Sequence, residues 1–263
     1  LKDFGTISVI TVVKNSVHLI EQTLLSIFKQ SYRHINNIII DGNSNDGTVD
    51  IIKNYKDQVS SFISEKDNGI FEAMNKGVSY CSGGWVCFLN AGDTFVDKKT
   101  LENLTDNWDR KSKIILSNTR ILDDNGALES IYKADINKIK FNTPAFHQSQ
   151  IIRSELLKSR PYDCYYNLTA DYDFILYHHL TGELIQHIDC ETINFLGGGI
   201  SSKYRSKAMV QSLAIMAKYS VSFDEIMTSH WYLSLLESGD SSISNYDFSI
   251  RFNKLQNQVL KLR

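Results

Sequence analysis

The sequence predicts an α/β fold: a mostly parallel sheet with helices on both faces. Three observations carry the prediction. Through residue 93, short β-branched runs alternate with segments whose apolar positions recur at helical spacing, the pattern of right-handed βαβ units. The first run, Ile7-Ser8-Val9-Ile10-Thr11-Val12-Val13, is the kind found in strands buried on both faces. A later run, Trp85 to Leu89, stops abruptly at Asn90-Ala91-Gly92-Asp93, delivering a carboxylate to the carboxyl edge of the sheet, where open α/β sheets bind ligands.

The elements follow in order. After the strand over residues 7 to 13, Asn15 or Ser16 is expected to cap a helix with Ile20, Leu24, Ile27 and Phe28 on its apolar face. Asn37 to Asp41 reads as a second strand, ending in the turn Asp41-Gly42-Asn43-Ser44. A helix from about Thr48 to Tyr55, a strand from Val59 to Ser64 and a helix over Ile70 to Tyr80 lead to the Trp85 strand. Beyond Asp93 the rhythm changes. Lys98 to Trp108 reads as a helix and Lys113 to Leu122 as a strand, with Asp123-Asp124-Asn125-Gly126 turning a hairpin into Ala127 to Tyr132. Ser149 to Ile152 is strand-like, Thr169 to Leu180 helical and Leu184 to Phe195 extended. Gly197-Gly198-Gly199 reads as a mobile loop, and from Lys203 the chain is helical apart from the polar stretch Ser238 to Asn245. The division implied is an α/β domain over residues 1–205 and a C-terminal helical extension over 206–263.

At 263 residues and 42% hydrophobic, the chain can bury a full core. A net charge of −2 offers no global basic field, which argues against nucleic acid as a partner. Cys81, Cys87, Cys164 and Cys190 form no CxxC pair and no metal-ligand spacing, so reduced thiols are expected. The start, Leu1-Lys2-Asp3, leads into a short strand rather than a long apolar region, and no run approaches the roughly 20 apolar residues of a membrane-spanning helix. The expectation is a soluble, cytoplasmic protein.

Several polar residues interrupt this frame. Asp41 stands at a strand end beside Gly42, where a nucleotide base or ribose would lie; an ordinary Asp-Gly turn is the structural alternative. Asn45-Asp46-Gly47-Thr48 opens a helix and reads as capping. Asn75, polar on an otherwise buried helix, either ties loops together or meets a nucleotide. His147 and Gln148 precede the Ser149 strand, and a lone His there is either a packed residue or part of the site. Asp171 and Asp173 begin the Thr169 helix, about 200° apart around it. A carboxylate at a helix N-terminus stays ionised, as a general base must, although a plain capping acid would look the same.

Asp67-Asn68-Gly69-Ile70-Phe71-Glu72-Ala73-Met74-Asn75-Lys76-Gly77, taken with Asp41 to Thr48 and Asn90 to Asp93, resembles the inverting nucleotide-sugar glycosyltransferases of family two, over roughly residues 5 to 205. That resemblance implies the Rossmann-like GT-A fold and a UDP-sugar donor. It implies nucleotide-sugar contacts at Thr11, Val13, Asn15, Asp41, Lys66, Asp67, Asn75, Asn90 and Ala91, with Asp41 accepting N3–H of uracil. Phe195 to Arg205 resembles the family's closing loop, with Lys203 or Arg205 reaching the diphosphate. His147-Gln148 recurs in related enzymes, which implies an acceptor or phosphate contact for His147. Where the family carries Glu-Asp, this chain has Ala170-Asp171, leaving Asp171 as the base and Asp173 as its competitor. The family's Asp-x-Asp signature departs further: Asn90 replaces the first acid and Gly92 the third position, so Asp93 is left as the ligand of a divalent metal, Mn2+ or Mg2+.

The expected activity is inverting transfer of a hexose or N-acetylhexosamine to a hydroxyl of a growing glycan, as in bacterial surface polysaccharide built on a lipid carrier at the inner face of the membrane. Two rivals stand beside it. A sugar-nucleotide nucleotidyltransferase would carry a Gly-rich phosphate loop after the first strand, and Val13-Lys14-Asn15-Ser16 lacks the glycines. A catalytically degenerate transferase acting as a scaffold is compatible with the reduced signature. At the far end, Phe248, Phe252, Leu255, Val259 and Leu262 form a heptad seam flanked by Arg251, Lys254, Lys261 and Arg263. Over residues 247–263 this predicts an intramolecular helix, a homo-oligomer contact or an anionic membrane contact.

Overall fold

The structure, a computed structural model, describes residues 5–123, 125–197, 199, 203–219, 221–222, 225–226, 229 and 232–233. Strand β1 (Ile7–Val13) pairs in parallel with β2 (Ile35–Asp41) on one side and with β4 (Trp85–Phe88) on the other, and β3 (Ser61–Ser64) pairs in parallel with β2. The helices between them are α1 (Ile20–Phe28), α2 (Thr48–Asn54) and α3 (Ile70–Ser79). This first half is the βαβ series that the alternation predicts.

After Asp93 the sheet is mixed. It takes in β5 (Thr94–Phe95), α4 (Thr100–Asn107) follows, and then come β6 (Ile114–Leu122), β7 (Leu128–Tyr132), β8 (Gln150–Arg153) and β9 (Ile185–Phe195). The order is β3-β2-β1-β4-β8-β6-β9-β5, with β7 also paired to β6. Strand β8 runs antiparallel to both β4 and β6, and β9 runs parallel to β6. The β6–β7 hairpin closes as expected through Asp123, whose carboxylate accepts from the Asn125 and Ala127 amides at 2.9 and 2.8 Å. Asp124 of that turn lies outside the described residues.

Both faces of the sheet are covered, and successive side chains alternate between two sets of partners. Ile10, Ile38, Ile40, Val86, Phe88, Ile114, Leu116 and Ile152 point to one face, against Phe71, Met74 and Val78 of α3. The intervening Ile7, Val9, Trp85, Cys87, Ile115 and Ile151 point to the other, with Ile27 of α1 and Leu101 and Leu104 of α4. Gly77 is required by this packing: a Cβ there would lie 2.5 Å from Ile10 Cγ2, so only glycine lets α3 approach β1 so closely.

Helices α5 (Ser154–Ser159), α6 (Ala170–Leu180) and α7 (Arg205–Lys218) complete the α3 side. Met209, Leu213 and Met216 of α7, with Val221, Ile226 and Tyr232 beyond it, join the same core as Phe174 and Ile175 of α6. The described residues after position 205 thus share the core of the α/β unit. The polar stretch Ser238 to Asn245 and the heptad seam over 247–263 lie outside the described residues. Among the described residues no helix is long and apolar enough to cross a membrane.

One expectation about local structure fails. Helix α1 starts at Ile20 with Leu19 at its N-cap, not at Asn15 or Ser16. Asn15 adopts a left-handed conformation, φ 47°, and its amide donates to Ser44 Oγ at 2.8 Å, while the Ser16 amide donates to Thr48 Oγ1 at 2.8 Å. Both residues are committed to the neighbouring loop, and the helix begins only after the turn they make.

Asn75 of α3 makes a reciprocal pair with the backbone of Tyr162: its Nδ2 donates to the Tyr162 carbonyl at 2.8 Å and its Oδ1 accepts from the Tyr162 amide at 2.9 Å. Of the two readings of this side chain, tying loops together is what its contacts do. Asn75→Ala leaves a backbone donor and acceptor without these partners, at a cost of about 1–3 kcal/mol. The expected outcome is a lower denaturant midpoint than the parent's; an unchanged midpoint would show that this pair does not hold the loop.

Candidate active site

The carboxyl ends of β1, β2 and β4 are stitched into one edge. The Gly42 amide donates to the Val13 carbonyl at 2.9 Å and the Ala91 amide to the Val12 carbonyl at 3.4 Å. The loops after β2 and β4 therefore flank the end of β1, the crevice where open α/β sheets bind ligands.

On the β2 side, Asp41 has no exposed surface. Its Oδ2 accepts from the Ser44 amide at 3.0 Å and the Ser64 hydroxyl at 2.6 Å, and its Oδ1 accepts from the Ser44 hydroxyl. Asp46 braces the same loop, accepting from the Val17 amide and the Thr48 amide at 3.0 Å each, which matches the capping role read for this segment. A Cβ on Gly42 would lie 2.6 Å from Asp67 Oδ2 and 3.2 Å from Lys14 Cδ, so Asp41-Gly42, Asp67 and Lys14 meet. Lys66 is exposed beside them. The side chains of Thr11 and Val13 are sealed in the sheet, so either could meet a ligand only through its backbone.

On the β4 side, the Asn90 loop meets His147-Gln148 and the first turn of α6. Asn90 Nδ2 lies 2.9 Å from His147 Nε2, and His147 Nδ1 lies 3.5 Å from Asp171 Oδ2. Asp171, His147 and Arg205 line a cavity of about 490 Å³ whose other walls include Tyr132, Phe146, Phe195 and Met209. Phe146 stacks on Tyr132 with ring centroids 4.9 Å apart and meets Phe195 edge-on at 5.0 Å. This aromatic wall was not foreseen, because its members lie on three segments with no shared motif. Lys203 is exposed and does not line the cavity; its ammonium sits 5.7 Å from the Tyr204 ring.

Asp173 points elsewhere. It is fully buried, with Arg160 Nη2 2.7 Å from Oδ2 and Lys218 Nζ 2.7 Å from Oδ1. Its carboxylate is structural, and Asp171 alone of the two acids faces the cavity.

Asp93, the residue expected to ligate a divalent metal, is enclosed by protein donors. Asp93 is 5% exposed, with Gln148 Nε2 donating to Oδ2 at 2.8 Å and the Leu196 amide donating to Oδ1 at 3.4 Å. Gly92 stands at φ 104°, a conformation that L side chains rarely adopt, so the backbone itself disfavours an acid at that position. Among the described residues, no group of three or more His, Cys, Asp or Glu could hold a metal ion.

The profile of glycosyl transferase family 2 matches residues 8–167, more than half of the chain, and the chain belongs to that family. It is 23% identical over 233 residues to a PGL/p-HBAD biosynthesis glycosyltransferase of Mycobacterium bovis, covering 85% of this chain and 90% of the relative. Among solved structures it resembles residues 1–349 of S. aureus TarS in complex with UDP, with a TM-score of 0.64, 19% identity, and coverage of 88% of this chain and 70% of that one. It also resembles the mannosyltransferase PcManGT from Pyrobaculum calidifontis in complex with GDP-Man and Mn2+, with a TM-score of 0.64, 15% identity, and coverage of 97% and 84%. The chain is a glycosyltransferase with the GT-A fold that the sequence predicts.

Burial pushes the Asp93 carboxyl up to about 6, with Gln148, His147 and the Leu196 amide opposing the shift. A raised carboxyl pKa means that the folded state binds the proton more tightly than the unfolded chain does. Stability should therefore fall as pH rises from about 4 to about 6. Asp93→Asn should flatten that slope. Denaturant unfolding of both proteins across pH 4–8 checks this; equal slopes would mean that Asp93 is not held in this environment.

Proposed function

We propose that the enzyme transfers a hexose or N-acetylhexosamine from a UDP-sugar, with inversion, to a hydroxyl of a growing glycan of the lipid-linked, bacterial surface type, and that Asp171 is the general base. The observation that supports this most directly is the contrast between the two acids of α6: Asp171 opens onto the cavity beside the Asn90 loop, while Asp173 is bound up in ion pairs. In this reading the acceptor hydroxyl enters the cavity, Asp171 takes its proton, and the oxygen attacks the anomeric carbon from the face opposite the departing UDP.

The uridine belongs with Asp41, Gly42, Lys66 and Asp67. Asp41 Oδ1 accepts only from Ser44, so movement of the Ser44 loop would free it for N3–H of uracil. The UDP held by TarS and the nucleotide sugar held by PcManGT support a nucleotide-sugar donor, and the Mn2+ of PcManGT supports metal use by related enzymes. For this chain we route no step through a metal. Arg205, which lines the cavity, and the exposed Lys203 two residues before it in the chain are the cations proposed to meet the diphosphate. The aromatic wall suits stacking of an acceptor sugar ring.

Asp171→Asn keeps size and hydrogen bonding but cannot accept a proton, so transfer should fall by about 10² to 10⁴ with UDP affinity near the parent value. Steady-state transfer and calorimetry check the two halves separately; parent-like transfer would remove Asp171 as base. UDP affinity should be nearly the same with Mn2+ and with a chelator, and strict dependence on metal would show that the Asp93 loop rearranges to ligate it. The reduced signature also supports the scaffold reading, which predicts UDP binding without UDP release from any UDP-sugar.

A further inference from the structure

We infer that His147 is a positioning residue for Asp171, and that Asn90 holds its ring in the tautomer able to do this; the inference rests on Asp171 being the base. Three elements converge on the ring. His147 sits in the turn before β8, Asn90 follows β4, and Asp171 lies in the first turn of α6. The ring nitrogens have separate partners: Nε2 lies 2.9 Å from Asn90 Nδ2, and Nδ1 lies 3.5 Å from Asp171 Oδ2.

With the Asn90 amide turned so that Nδ2 faces the ring, Nε2 accepts from it and the ring proton sits on Nδ1, beside Asp171. Asn90 Oδ1 is buried with no hydrogen-bond partner among the described residues, so the contact with His147 is the polar contact of this amide. The side chains of His147 and Asp171 are 18% and 14% exposed, which limits competition from water. A separation of 3.5 Å is longer than a formed hydrogen bond, and such contacts tighten when substrate closes the site. Oδ2 of Asp171 would then be held by the Nδ1–H, leaving Oδ1 for the acceptor hydroxyl. Among the described residues, the charged groups near the pair include Asp93, on whose carboxyl His147 acts, and Arg205, which lines the same cavity. The buried Tyr162 hydroxyl also lies within the field of Asp171.

Asn90 stands where the family's signature carries its first acid. A carboxylate there would accept from Nε2–H and draw the proton to the wrong side of the ring. The replacement by an amide is thus what the His147–Asp171 pair requires.

The test uses the whole protein and two substitutions that each copy one ring nitrogen. His147→Asn places an N–H near the Nδ1 position, and His147→Gln places one near Nε2. His147→Gln should lower kcat by about 10- to 100-fold with the UDP-sugar affinity near the parent value, as expected for a base displaced by about an ångström. His147→Asn should recover most of that loss. Histidine ¹⁵N NMR, with His147 assigned by its absence from the variants, should show the Nδ1–H tautomer in the parent and its loss in Asn90→Asp. An Nε2–H tautomer in the parent overturns the inference, as does parent-like kcat in His147→Gln or equal losses in both His147 variants. If Asp171→Asn transfers normally while the Nδ1–H tautomer is seen, the base assignment fails and the ring geometry stands. If Asp171→Asn is slow and His147→Gln is not, the base stands and this inference fails.

Discussion

Asp173 carries a carboxylate with no exposed surface between two cations, Arg160 and Lys218, each at 2.7 Å, with the Tyr219 hydroxyl donating to it at 3.0 Å. An isolated charge in such a place would be costly, and the cost is offset only when the partners are close and well aligned. These three partners come from the segment after α5 and from the end of α7, so one side chain joins three parts of the chain. It also fixes the rotation of α6 about its own axis. Asp171, two residues earlier and about 200° round the helix, is aimed at the cavity because Asp173 is held on the opposite side. The Arg160 guanidinium adds a further constraint, lying 4.3 Å from the Tyr177 ring centroid on the same helix.

The acids at the sheet edge are treated differently. Asp93 receives only neutral donors, the Gln148 amide and the Leu196 backbone, and neutral donors do not fully offset the loss of water. Its carboxyl is accordingly pushed up to about 6. Asp41 also sits among neutral donors, two serine hydroxyls and one amide, on a loop that Asp46 braces from the other side. A loop held by a handful of hydrogen bonds can open at modest cost, whereas the Asp173 cluster cannot. The edge proposed to meet the nucleotide is therefore held by weaker bonds than the helix that carries Asp171.

The first half of the fold was legible because its strands are buried on both faces and its helices on one, so periodicity separates them. Residues 7–13 and 85–89 needed nothing beyond the pattern. The cap on α1 was misread because Asn15 and Ser16 satisfy the capping rule but engage their side chains elsewhere: Asn15 Oδ1 accepts from the Asn45 amide, 30 residues away, and the Ser16 hydroxyl donates to the Lys14 carbonyl. The orientations of Asp171 and Asp173 followed from helix geometry. Their partners did not: Arg160 is 13 residues from Asp173 and Lys218 is 45, with no local signal linking them. For the same reason the Asn90–His147 contact, spanning 57 positions, was visible only as two separate polar residues.

The loop after β4 shows how the family's signature can change as a unit. Thr23 Oγ1 accepts from the Gly92 amide at 2.9 Å and donates to the Asp93 carbonyl at 2.9 Å, and Gln22 Nε2 donates to the Gly92 carbonyl at 3.2 Å. These bonds hold Gly92 at its left-handed φ of 104°, where a side chain would be strained. Restoring an acid at 92 alone would therefore meet backbone resistance before it met a cation. At position 90, the amide faces a histidine that needs a donor, and at 93 the acid is enclosed by Gln148. The two departures, Asn90 and Gly92, and the retained Asp93 each have a hydrogen-bonded neighbour: His147, Thr23 and Gln148.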